Sequence, residues 1–406
     1  MAIALPSQIH AQQGGRIHYG NLSIIPGLEL TETYDDNIFK GSGNPTVVVA
    51  PNVEDIVSDW ITHIKPSLLF NYSLQERGLV SFGYMGDFAR YKDNSGNNWK
   101  NHQGLLNVDY KAPSGFLFAV NESYGRKEDP FGSNDQYNIG RVTKRWSNDL
   151  KTKLGYGLTP SFRTVVRYNN YKQKYDSDLD ASQDYTVNEG GIGLESRFLP
   201  KTWGFVRYLY GQQRYDSNIG TTTSSNNSDF NRNAVSLGLN WDADAKITGE
   251  VSLGYEWIKY NNALTPTGTA RSDKNSWAAE TSVNYLPTAT TTLGLSLNRA
   301  LRNTASNTNE NFEDTSMGVT VAQIIMPKVT LKAGLTYGKN DYNIDITNPA
   351  GEARSDTNYR GNLGVDYLLR EWLDVGLAYS YDKKVSNVVA NEYKNNQFMA
   401  YVKVVY

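Results

Sequence analysis

A period of two, kept up along almost the whole chain, narrows the fold more than any other feature. In KITGEVSLGYEW (246–257), Ile247, Val251, Leu253, Tyr255 and Trp257 share one set of alternate places, and Thr248, Glu250, Ser252, Gly254 and Glu256 fill the other. The same alternation recurs in LVSFGYMGDFARY, NHQGLLNVDYKA, SWAAETSVNYL and VTLKAGLTYGK. Each stretch reads as a strand with one apolar and one polar face. Soluble antiparallel sheets alternate as well, so the solvent on the apolar side has to be found from other features. Mean hydropathy is −0.55, and no apolar run is long enough for a transmembrane helix. A membrane role therefore requires a closed barrel, the only sheet that leaves no backbone group unpaired in lipid.

Strand length and the connections favour lipid. The alternating stretches run for about 10 to 15 residues, whereas a tilted membrane strand needs about 9–11 and a soluble strand averages about 5–6. Short turns stand at 75–78, 112–115, 159–162, 199–202, 242–246, 286–290, 326–329 and 369–372. Between them lie longer Asn/Ser/Asp/Gly-rich segments near 36–56, 94–98, 127–147, 177–183, 217–227, 261–272, 305–311, 343–353 and 387–390. The expected fold is all-β: a transmembrane up-and-down antiparallel barrel of about 18 strands, with 16 as the smaller alternative. Its turns would be periplasmic and its long loops extracellular. Residues 21–406 would form this single barrel, and 1–20 a flexible segment or signal-peptide remnant, with Ile9-His10-Ala11 as a tolerable cleavage site. Trp203, Trp241, Tyr285, Tyr367 and Trp372 beside the short turns, and Tyr91, Trp257, Tyr260, Trp277 and Tyr381 nearer the loops, would form two interfacial girdles. QFMAYVKVVY places Phe398, Ala400, Val402, Val404 and Tyr406 on one face, like the signal by which outer-membrane proteins engage the barrel assembly machinery. The first loop, with its apolar run Val47–Ala50, would fold inward as a constriction or stand outside as a flap.

Composition excludes several functions. The 40 Lys+Arg nearly balance 42 Asp+Glu, which leaves no nucleic-acid footprint. There is no Cys, hence no disulfide framework or thiolate metal site. The four His form no Ser-His-Asp or metal arrangement. DSDLD (176–180) begins like a calcium loop, but Ala181 and Val187 stand where that loop needs Gly and Glu. No catalytic residue, metal ligand or cofactor is expected. PTGTARSDKN (266–275) echoes PAGEARSDTN (349–358) and reads as duplicated hairpins rather than a binding motif.

If the apolar face meets lipid, the alternate residues line a lumen, which about 18 strands leave aqueous. The expected pore-lining charges are Lys151, Lys153, Arg163, Arg167, Arg197, Arg207 and Arg232, with Glu189 and Glu195 interleaved, then Glu250, Glu256, Glu280, Asp366 and Asp374. They suggest a basic arc beside an acidic arc, setting selectivity by the field across the pore or pairing to hold the wall. Tyr171, Tyr175, Phe205 and Tyr215 are candidate sugar-stacking rings.

The opening segments carry a family resemblance. IIPGLELTETYDDNIF contains Tyr34-Asp35-Asp36-Asn37-Ile38-Phe39, and SDWITHIKPSLLFNYS contains Asp59, Trp60, Ile61 and Pro66 in the spacing of a second-strand motif. The chain resembles, over 21–406, the outer-membrane β-barrel porins of bacterial exopolysaccharide biosynthesis and export gene clusters. The resemblance implies a passive outer-membrane pore conducting a secreted exopolysaccharide, with a periplasmic polysaccharide-export protein as partner. The alternatives are a specific diffusion porin for small sugars or other solutes and, less favoured, a surface adhesin or outer-membrane hydrolase with a blocked lumen.

Overall fold

The computed structural model describes residues 17–44, 56–130, 141–216, 228–241, 246–263, 270, 272–303, 311–343 and 352–406. Its strands are β1 (Ile17–Tyr19), β2 (Leu22–Asp35), β3 (Asp59–Ser73), β4 (Gly78–Tyr91), β5 (Trp99–Lys111), β6 (Phe116–Asp129), β7 (Thr143–Thr159), β8 (Phe162–Tyr175), β9 (Tyr185–Leu199), β10 (Thr202–Tyr215), β11 (Phe230–Trp241), β12 (Ile247–Tyr260), β13 (Lys274–Thr288), β14 (Thr291–Asn303), β15 (Asn311–Met326), β16 (Val329–Tyr342), β17 (Ser355–Arg370), β18 (Leu373–Ser386) and β19 (Tyr393–Val405). From β2 to β19 each strand pairs antiparallel with the next, and β19 pairs back to β2, so eighteen strands close into a barrel. Residues 17–19, within the segment expected to be flexible, form β1 instead. This strand pairs Ile17–Tyr19 with Leu22–Ile24 and covers the part of β2 that lies beyond the β19 ladder.

The two faces of the wall have opposite chemistry. Leu154, Val166, Leu194, Leu237, Leu253, Leu335, Leu363 and Leu377 are all exposed on the outside, which is the greasy band a barrel turns to lipid. Their alternates face inward, where buried Asp, Glu, Arg, Asn and Thr side chains gather. At the start of β12, Gly249 has φ of 116°, and a Cβ there would sit 1.9 Å from the Ser282 carbonyl oxygen. Only glycine allows the chain to turn into β12 that close to β13.

The girdle expectation needs three corrections. Trp203, Tyr91 and Tyr260 are buried and point inward, as the register fixes: Trp203 is opposite Arg197, Tyr91 opposite Ile61, and Tyr260 opposite Phe230. Near a strand end an aromatic ring can serve the interface or the lumen, and only its parity along the strand decides. Tyr285, Tyr367, Trp372, Trp257 and Trp277 are exposed. Phe398, Val402 and Tyr406 of the last strand's outer row are exposed too.

The Tyr34–Phe39 motif works as a clasp at the seam where β19 meets β2. Asp35 accepts from the Gln397 Nε2 (2.7 Å) and from the Asn395 amide. Asp36 accepts from the Asn396 backbone N–H (2.7 Å) and its Nδ2 (2.6 Å). Asn37 is fully buried; its Nδ2 donates to the Gly41 (2.9 Å) and Lys394 (2.8 Å) carbonyls, and its Oδ1 accepts from the Gly41 N–H (2.9 Å). These bonds turn the chain inward, so that Ile38 and Phe39 pack on inward-facing Ile61, Ala89, Tyr91 and Trp99. The first loop thus starts by folding into the mouth; Val47–Ala50 lie outside the described residues. Asn37→Ala would strand several buried polar groups, each costing about 1–3 kcal/mol. It is expected to lower the unfolding temperature and to speed proteolysis within 36–44. An unchanged melt and digest would show that the clasp contributes nothing.

Candidate functional site: the charged lumen

All fourteen charges expected to line the pore fall on the inward parity of their strands. On β7–β10 the register sets Lys151 opposite Asn169, Lys153 opposite Arg167, Arg163 opposite Glu195, Arg197 opposite Trp203, Arg207 opposite Gly193 and Glu189 opposite Gly211. On β11–β13 it sets Arg232 opposite Ile258, Glu250 opposite Asn240, Glu256 opposite Ala234 and Glu280 opposite Ser252. Asp366 and Asp374 stand inward on β17 and β18.

The acidic and basic groups do not divide into separate arcs; they interleave in tiers. In the tier nearer the short turns, Glu195 is fully buried. Its Oε2 accepts from the Arg163 Nε at 2.7 Å, and Arg167 Nη2 lies 3.6 Å from its Oε1. Arg207 donates to Glu250 at 3.0 Å. Trp203, which the sequence reading assigns to the interface, is the centre of this tier: Arg163 lies 3.8 Å and Arg197 4.5 Å from its ring centroid. A tryptophan ring in contact with guanidinium groups steadies them while leaving them charged. With Lys153 added, five cations (Lys153, Arg163, Arg167, Arg197, Arg207) face two carboxylates (Glu195, Glu250), a formal surplus of three. In the next tier Arg232 bridges Glu189 (2.9 Å) and Glu256 (2.7 Å).

The opposite wall is balanced. Lys65 pairs with Glu29 at 2.9 Å, Lys332 and the Tyr401 hydroxyl both contact Asp366, and Lys403 stands opposite Glu29 and Asp374. Three cations meet three carboxylates there. Only Asp366 and Asp374 are expected from the sequence on this wall; the alternation that puts them inward also puts Glu29, Lys65, Lys332 and Lys403 there. Nearer the extracellular mouth, Lys40 lies 5.1 Å from the Tyr393 ring centroid, and burial pushes its amine below the usual lysine range.

The four aromatic candidates all face inward, but most of their ring surface is taken. Phe205 lies under Arg207 (4.3 Å) and Tyr175 under Arg145 (5.8 Å). Tyr215 is buried against Tyr185, which also touches Tyr171 (5.6 Å for each pair). Tyr171 alone is half-buried, its hydroxyl donating to Gln173 Oε1 at 2.9 Å.

One hairpin leaves the wall. The β13–β14 ladder stops at Ala279↔Arg299, while β14 and β15 stay paired out to Asn303↔Asn311 and β12 and β13 out to Ile258↔Lys274. Beyond Arg299 the β14–β15 hairpin swings into the lumen. The Leu301 N–H donates to Glu256 Oε1 at 2.6 Å, and its side chain is buried with inward-facing Phe230, Ile258 and Tyr260. Asn311 Nδ2 donates to the Tyr260 hydroxyl at 2.9 Å. The gap left beside β13 is crossed by side chains: Ser276 donates to Glu313 (2.8 Å), and Arg299 lies 4.5 Å from the Trp277 ring centroid. No group of His, Cys, Asp and Glu among the described residues is arranged to hold a metal ion, and DSDLD instead enters a short 3-10 turn in which Asp180 pairs with Arg141 at 2.6 Å.

A closed barrel with a greasy exterior and a charged interior is what a comparison with known families should recognise, and a family model described as "Putative beta-barrel porin 2" matches residues 11–406. The chain belongs to this family. As a β-barrel porin it resides in the bacterial outer membrane and is a channel protein. Among solved structures, OccAB4 of Acinetobacter baumannii aligns with a TM-score of 0.45 at 12% identity, covering 98% of the porin and 100% of that chain. The outer-membrane protein OpdK of Pseudomonas aeruginosa aligns with a TM-score of 0.46 at 14% identity, covering 94% and 98%. A BenF-like porin of Pseudomonas fluorescens Pf-5 aligns with a TM-score of 0.47 at 11% identity, covering 94% and 99%. No curated protein matches the porin.

Proposed function

We propose that the barrel is a passive, selective diffusion channel for small solutes, with a preference for anions. The observation that carries this reading is the surplus of three positive charges in the turn-side tier, where five cations of β7–β10 meet Glu195 and Glu250 of β12, facing a wall whose charges cancel. In a narrow, low-dielectric passage such an imbalance concentrates counter-ions and steers them inward. Half-buried Tyr171 and the amides around it would make the weak, repeated contacts that let a sugar acid enter without sticking. The inward turn of Ile38–Phe39 and the inward β14–β15 hairpin favour a small solute over a polymer. The exopolysaccharide conduit, with its periplasmic export partner, rests on the first-strand and second-strand resemblance alone and is set aside. The outward row Phe398–Tyr406 is retained as the segment that barrel assembly machinery would read.

Purified protein in planar bilayers, under a potassium chloride gradient, should give a reversal potential of the sign set by chloride. Equal-sized sugar acids should then carry more current or swell liposomes faster than neutral sugars. A silent bilayer, or a reversal potential set by potassium, would overturn the proposal.

A further inference from the structure

We infer that the outward face at the extracellular ends of β4–β8 binds the phosphorylated headgroup of a saccharolipid in the outer leaflet. This surface lies on the far side of the wall from the lumen and does not depend on the channel reading. Its residues share the outward parity of Leu154 and Val166. His102, Arg126, Trp146 and Lys174 are matched across β5, β6, β7 and β8. One step further out, Glu128 is matched to Lys144, and its Oε2 accepts from the Lys100 backbone N–H at 2.9 Å.

Height along the strand puts this lattice at the headgroups. Tyr156 and Trp146 are both outward on β7, Tyr156 at the short-turn end. About ten residues, at roughly 2.5 Å of height each in a strand tilted by about 40°, span about 25 Å, the height of the greasy band. Tyr124 stacks on Trp146 with ring centroids 6.2 Å apart, a flat amphipathic pair of the kind that sits at that level.

The charge is lopsided. Arg90, Lys100, Arg126, Lys144, Lys172 and Lys174 are six cations; Glu128, Asp176 and Asp184, the last beside Lys174 at the end of β8, are three acids among them, so three positive charges remain over. Arg126 pairs with Asp176, and Lys144 with Glu128 at 2.9 Å. Lys172 lies 5.9 Å from the Trp146 ring centroid. Arg90, Lys100 and Lys174 are exposed and make no ion pair among the described residues. Cations on five neighbouring strands at one level, those of β4, β5 and β8 without an ion pair among the described residues, fit, beside an aromatic ledge, a ligand with two phosphates on a sugar: ammonium and guanidinium groups take the phosphates, and the ledge takes the sugar–acyl boundary.

The test is native mass spectrometry of the purified barrel in detergent with diphosphoryl lipid A. Wild-type protein should keep one bound lipid. The Lys100→Gln, Lys172→Gln, Lys174→Gln variant, and Arg90→Gln made separately, should lose retention, the triple by at least about tenfold. Lys383→Gln with Lys394→Gln, on the outer face of β18 and β19, should lose none. Lipid A stripped of its phosphates should not be retained, and millimolar inorganic phosphate should not displace the intact lipid. Equal retention of the stripped lipid, displacement by free phosphate, or undiminished binding by the triple variant would each overturn the inference. A correctly heat-modifiable band on gels checks that each variant is folded.

Discussion

Replacing Lys153, Arg167 and Arg207 together by Gln should abolish most of the preference for anions proposed for the channel. The turn-side tier then falls from five cations against two carboxylates to two against two, leaving Arg163 and Arg197 on the Trp203 ring. The field across the lumen vanishes because the opposite wall is already balanced. The ratio of anion to cation permeability should drop by about tenfold, toward unity, at low salt. The wild-type ratio should itself shrink as ionic strength rises, because the screening length falls from about 30 Å at 0.01 M to about 3 Å at 1 M. The check is the reversal potential of wild-type and triple-variant channels across a salt gradient. If the two coincide, these side chains lie outside the conducting path.

Glu195→Gln should be the most destabilising isosteric change in the lumen. Glu195 is fully buried, and Arg163, Arg167 and Lys153 converge on it from β8 and β7. Neutralising the carboxylate leaves these cations repelling one another with little water to screen them. Breaking a buried pair from one side costs about 3–5 kcal/mol. Glu280→Gln makes the contrast, since Glu280 is exposed to the lumen and has no ion pair among the described residues; its loss should change little. Denaturant unfolding followed by the heat-modifiable band separates the two. Equal midpoints for both variants would mean that the Arg163–Glu195 contact holds nothing together.

The sequence made the wall legible because alternation is a local rule. Once Leu253 and Tyr255 are assigned to lipid, Glu250 and Glu256 must face inward, and the same rule carries from strand to strand through the short turns. It failed where a residue's side of the wall stopped being enough. Trp203, Tyr91 and Tyr260 resemble interfacial aromatics by position near a strand end, yet each has inward parity and a lumenal partner. The segregated arcs failed for another reason: order along the chain says nothing about which charges meet across strands, and Arg232 reaches Glu189 on one side and Glu256 on the other. The motif Tyr34–Phe39 was recognised as a family mark, but its work at the seam needs Asn395, Asn396 and Gln397, over 350 residues away in the chain.

The departure of the β14–β15 hairpin was invisible for a deeper reason. Leu301 has the parity of a lipid-facing residue, and it is buried against Phe230, Ile258 and Tyr260 because the described ends of β14 and β15 have folded their outer surface onto the inner wall. That single displacement trades two openings against each other. With Leu301 docked, the bore is tightened and the flank beside residues 274–278 is left with side-chain bridges instead of a ladder. Were the hairpin to swing back and zip onto β13, the flank would seal and the bore would widen by the same movement. A cargo that leaves sideways and a cargo that passes straight through would therefore call for opposite positions of one arm.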